Sequence, residues 1–217
     1  MQHPKSPSTN PLPVPDVPRA HSTFAPLFIW LLIQLIALGV STARIPFYAK
    51  GFPQPAELLA SNVMLIVQIG ASAMLFLFLL RDLWAAGIVI AASWPFTIVG
   101  GFLTGLMDPW LPIEAAGYVT LWLLGLAVWR SILRSPRAQA GGIAVAMLAA
   151  FGGPLAWYLR AEFGNSNGGS PDLWGPIFGA LAVANHGMAL KGPWMVMGGF
   201  LTAGILGRCV QWIASRR

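Results

Sequence analysis

Six stretches of this chain run for about 20 residues each with almost no charge inside them: 24–43, 57–80, 83–107, 113–133, 141–159 and 194–214. A hydrocarbon core about 30 Å thick takes roughly 20 apolar residues to cross as a helix. No water in that layer bonds the backbone, so each stretch must satisfy its own N–H and C=O groups, which a helix does and an open strand does not. A transmembrane barrel would show alternating segments of about 10 residues, and the sequence has none. The expectation is an all-α integral membrane protein, a bundle of about six transmembrane helices. Composition agrees, with 56% of residues hydrophobic and 9% charged, far from the balance of a soluble globular chain.

No loop is long enough to fold as a separate soluble domain, so residues 23–217 read as one polytopic membrane domain. Residues 1–22 carry six prolines among Ser, Thr and Asn; such a segment buries no core and is expected to be a disordered tail. Ser41-Thr42-Ala43 has the small-x-small pattern of a signal-peptidase site. The tail before it is long and the apolar run exceeds a usual signal core, so a retained anchor helix is expected.

Residues 173–190 are ambiguous. The stretch is short for a span and is broken by Gly175-Pro176 and Asn185-His186, which fits a re-entrant, interfacial or seventh helix. Basic residues arbitrate. With six spans and the N-terminus inside, nine of the 13 Lys and Arg fall on the cytoplasmic side, against four outside (Arg44, Lys50, Arg160 and Lys191). Seven spans would split them seven to six, which is no bias. The positive-inside rule therefore favours six spans with both termini cytoplasmic, as in an inner membrane. Trp84, Trp110, Trp129, Trp157, Trp174, Trp194 and Trp212 lie near charges or span ends and read as an interfacial belt. Trp30, Trp94 and Trp122 lie deeper and read as lipid contact or core filling.

The excess of basic over acidic residues, 13 against 7, does not form one stripe. It sits at span ends and in short loops, so membrane lipids are the expected partners and nucleic acid is not. Phosphate-loop, HExxH, GxSxG and CxxC patterns are all missing from the sequence. No His/Cys/carboxylate cluster suggests a metal, and no cofactor is expected. Cys209 is the single cysteine; it lies among apolar neighbours and reads as a buried, inert thiol.

The residues left to carry function are few. Ser61, Gln68 and Ser72 of the second span fall near one face with Glu57. Ser93, Thr97, Gly100 and Thr104 line a face of the third, and Gln34 and Ser41 a face of the first. Such faces form either a hydrophilic path for a solute or interhelical hydrogen bonds, and the absence of a strongly ionisable residue at mid-span favours the bonds. Glu57 and Glu114 begin spans, where a carboxylate complements the helix dipole. Arg130, one turn from a span end, is placed to snorkel. His186 is the one titratable group expected inside the membrane domain, on a face of Gly and Ala. It reads as a structural histidine, with a cofactor ligand, proton relay or substrate contact as the alternatives.

Small residues recur at helical spacing: Gly101 and Gly105, Gly142 with Ala146 and Ala150, and Gly199 with Ala203 and Gly207. These let helix backbones approach closely, within the bundle or against partner subunits. The leading expectation is a non-catalytic subunit or scaffold that contacts other membrane proteins. A carrier of a small solute, lipid or ion along the polar faces of spans one to three, and an intramembrane enzyme centred on His186, are the alternatives.

Overall fold

The computed structural model describes residues 24–43, 60–80, 83–103, 110–163, 175–187 and 191–216, without the side chains at 24, 43, 60, 157, 160–163, 185 and 186. The N-terminal tail, Glu57, Gly105 and most of the 162–172 loop lie outside these residues. Within them the fold is seven α-helices: α1 (Phe24–Ala43), α2 (Ala60–Leu79), α3 (Leu83–Leu103), α4 (Trp110–Ile132), α5 (Pro136–Phe163), α6 (Pro176–His186) and α7 (Lys191–Ala214). All except α6 are long and apolar enough to cross a membrane.

The two inner helices are α2 and α4, each buried over 56% of its spanning window; in α5 and α7 that share is 11%. Outward apolar side chains such as Phe28, Phe78, Leu148 and Val210 are what a lipid environment accommodates. The core gathers Leu65, Ile69 and Phe76 from α2 with Val119, Leu123 and Leu126 from α4.

Residue pairings fix the directions. Trp122 meets Ser72 and Arg130 meets Leu77, so α4 runs parallel to α2. Gly70 abuts Phe151 and Gly142 abuts Phe76, so α5 runs antiparallel to α2. Gly117 faces Trp194, Gly125 faces Phe200, Gly204 faces Trp129 and Gly207 faces Ile132, so α7 runs parallel to α4. A full span at α6 would reverse α7. The parallel pairing thus requires an odd number of crossings between α4 and α7, which α5 alone supplies, so the described helices make six crossings.

At 11 residues, α6 is about 16 Å long, roughly half the hydrocarbon thickness. Its first end, Gly175, packs on Ala149 and Gly153 near the midpoint of α5, and its last end, Gly187, packs on Leu111 and Glu114 at the start of α4. It therefore runs from mid-depth to one face, a re-entrant half-helix wedged among α2, α4, α5 and α7. Pro176 at its first turn fits, since that position needs no N–H donor. Both flanking glycines have positive φ, 113° at Gly175 and 63° at Gly187, a region that side chains with a Cβ avoid.

Three expectations change. The fifth span, expected at 141–159, is a 28-residue helix starting at Pro136. Ser135 begins it, its Oγ accepting from the Ala138 N–H at 3.2 Å, with proline in the first turn. Cys209 is exposed on α7 rather than buried. Gly199 and Ala203 face outward, and nothing lies within 4 Å of a Cβ built at Gly199. Close packing of α7 onto α4 falls instead to Gly204, whose Cβ would lie 3.1 Å from Val128 and 3.2 Å from Trp129 Nε1. One residue along a helix is a turn of about 100°, enough to carry a stripe from the packed face to the outer one.

Candidate functional site

Two groups of polar side chains lie inside the bundle. The first joins α1, α2 and α3. Gln68 Nε2 donates to Gln34 Oε1 at 2.9 Å and to the Ser93 carbonyl at 3.2 Å, while Gln68 Oε1 accepts from Thr97 Oγ1 at 2.9 Å. Trp30 Nε1 donates to Ser93 Oγ at 3.1 Å, and Ser93 Oγ donates to the Val89 carbonyl at 2.7 Å. Lower in α2, Ser72 Oγ accepts from Trp122 Nε1 at 2.9 Å and donates to the Ile69 carbonyl. All of these residues are buried, Gln34, Gln68 and Ser72 completely. The polar faces aligned on spans one to three are thus turned towards one another. Gln34 Nε2 is left without an acceptor among the described residues.

The deep tryptophans have a role that a reading as filler misses. Trp30 and Trp122, fully buried by size, anchor through their N–H groups, and Trp94 Nε1 donates to Thr120 Oγ1 at 3.0 Å. A buried indole N–H is costly unless bonded. The sequence signal was a deep Trp opposite a Ser or Thr on another span, which spacing within one helix cannot reveal.

The second group surrounds α6. Among the described residues, Glu114 Oε2, Tyr118 Oη and Trp194 Nε1 are buried atoms without a hydrogen-bond partner. Glu114 and Tyr118 stand one turn apart on α4, with Tyr118 edge-on to Trp194, ring centroids 5.7 Å apart. Tyr118 Oη presses against Gly179 of α6, and a Cβ at Gly187 would come 2.5 Å from Glu114 Oε2. His186 closes α6 beside that glycine, its side chain outside the described residues. The reading of Glu114 as a helix-start carboxylate is corrected: α4 begins at Trp110 and has no acidic residue in its first turn, so dipole complementarity, which fades within that turn, accounts for none of the three; the i, i+4 spacing of 114 and 118 was the legible signal.

The remaining candidates are structural in placement. Arg130 Nε donates to the Leu77 carbonyl at 3.4 Å and its Nη1 to the Leu133 carbonyl at 3.3 Å, tying α4 to α2. A Cβ at Gly101 would enter the Pro112 ring, so this glycine closes the α3–α4 hairpin. Gly207 approaches Ile132, at 3.3 Å for a built Cβ. Trp84, Trp110 and Trp212 are exposed near helix ends, as an interfacial belt requires. Compared with known proteins, the chain matches no family model, no curated protein and no solved structure.

Proposed function

We propose that this chain is a non-catalytic subunit of a membrane assembly, holding a transmembrane helix of another membrane protein against the outer face of α7. One contrast carries the reading. The polar groups of α1–α3 bond mainly to one another, whereas α7 presents Gly199 and Ala203 outward, and none of the described residues lies within 4 Å of a Cβ built at Gly199. Glycine inside a helix costs roughly 1 kcal/mol relative to alanine, and in a membrane its return is the close approach of a second backbone. On this reading the arginine-rich end of the bundle faces the cytoplasm and the chain sits in the inner membrane.

Gly199→Leu tests it. A Cβ there has open space around it among the described residues, so thermal stability in detergent is expected to stay within about 0.5 kcal/mol of wild type. Cross-linking within native membranes should lose the partner band, because the added bulk separates helices that must touch. If the wild-type chain migrates alone in mild detergent and in membranes, or if Gly199→Leu retains the same cross-linked species, the subunit reading is wrong.

A further inference from the structure

At the end of the bundle where α4 stops, a groove of about 780 Å³ opens between α4, the start of α5 and the last third of α7. That volume lies in the range of small-molecule sites, roughly 300–1,000 Å³. Arg130, Arg134, Gln139 and Arg208 form its polar side, with Leu133 and Ile205 among its apolar walls, and none of the described residues lining it is acidic.

Cations at a helix C-terminus complement its dipole and bond its last carbonyls. That accounts for part of the cluster. Arg130 Nη1 reaches the Leu133 carbonyl, and Arg208 Nη1 reaches the Ser131 carbonyl at 2.6 Å. Gln211 and Gln139 serve the Ile132 and Leu133 carbonyls, each at 3.2 Å. Capping is therefore shared with two neutral amides that carry no charge into the groove. A guanidinium has five N–H donors; Arg130 spends two of them and Arg208 one on these carbonyls and that of Leu77. Arg134 is exposed and bonds none of the described residues. Three positive charges thus converge on one groove with apolar walls and no carboxylate among the described residues of its lining, and like charges so placed repel unless an anion joins them.

The position of the groove indicates what that anion is. It opens at the end of helices that cross the membrane, where headgroups lie, and basic pockets between such helices suit anionic headgroups. We propose that this groove binds the phosphate of an anionic lipid headgroup. Arg134 and Arg208 hold phosphate oxygens in the forked geometry that guanidinium favours, Arg130 adds charge from behind, and the acyl chains lie along Leu133 and Ile205. The site is independent of the face on α7 that the subunit reading uses.

The test is lipid retention by the purified full-length chain in detergent with equal phosphatidylglycerol and phosphatidylcholine, read by native mass spectrometry. Wild type is expected to retain phosphatidylglycerol in preference. Each arginine near an anionic surface contributes about 1 kcal/mol, or about fivefold. Arg134→Gln should therefore lower the preference about fivefold and Arg134→Gln/Arg208→Gln about 25-fold, while Arg208→Lys keeps most of it. Arg134→Gln removes no described hydrogen bond, so it is expected to fold as wild type, and raising salt on the wild-type chain provides the same comparison without mutation. Added inorganic phosphate separates the sources: displacement of the lipid supports phosphate recognition with free phosphate as a second ligand, and no displacement supports the lipid alone. Equal retention of the two lipids by wild type, or an undiminished preference in the double variant, overturns the proposal; an acidic segment of a partner protein would then be the better occupant.

Discussion

Gln68 shows how much a single residue can disclose and where its message stops. Its spacing with Ser61 and Ser72 identifies a polar face on α2, because 3.6 residues per turn is a property of one helix. Which helix that face meets is set by the bundle, and only the structure brings Gln34, Ser93 and Thr97 to it. The same limit applied to Glu114, which read as a helix-start carboxylate although α4 begins a turn earlier at Trp110, and which the structure brings beside Gly187 and α6. If the network binds helices together, Gln68→Leu loses three hydrogen bonds and leaves Gln34 and Thr97 short of partners. Interhelical bonds in membranes average about 0.6 kcal/mol each, so a loss of about 2 kcal/mol is expected on reversible unfolding in mixed micelles. Thr97→Val, which removes one bond to Gln68, should cost about a third of that. A Gln68→Leu variant as stable as wild type would mean the network does not hold these helices, and would return the face to the solute-path reading.

Helices were more legible than their registers. Long apolar runs locate each span because transfer to lipid depends on composition summed over about 20 residues, and the six expected spans correspond to α1–α5 and α7. Ends were less so: α5 gained a turn at its start because Ser135-Pro136 is a helix-opening pair beside arginines that read as loop. The small-residue stripe on α7 was found but not its direction, since Gly199, Gly204 and Gly207 all satisfy helical spacing of some kind. Packing now separates them. Gly204→Leu drives a side chain into Val128 and Trp129 of α4, and overpacking of this sort costs about 1–3 kcal/mol. Thermal unfolding should place Gly204→Leu well below wild type. Were Gly204→Leu as stable as wild type, α7 would not lie on α4 in this register, and the parallel pairing that sets the crossing number would lose one of its four contacts.

For the molecule as a whole, the decisive relation is between elements far apart in sequence. Charge bias expected six crossings from nine basic residues against four; the structure reaches the same number through the parallel run of α7 beside α4 and the half-length of α6. These arguments are independent, one resting on how Lys and Arg orient a chain during insertion, the other on which side chains meet. Six crossings place the start of α1 and the end of α7 on one face, together with the groove between α4 and α5. The compartment they face follows from the charge bias alone and is open to direct test. Ser135, between α4 and α5, and Lys191, at the start of α7, are exposed at opposite ends of the bundle. In a Cys209→Ser background, needed because Cys209 is itself exposed, an impermeant maleimide should label Lys191→Cys on intact cells and Ser135→Cys only after permeabilisation. The reverse pattern would invert the bundle and place the arginine groove against the outer leaflet. Labelling of both on intact cells would contradict the six-crossing topology, since residues at opposite ends of one bundle cannot share a compartment.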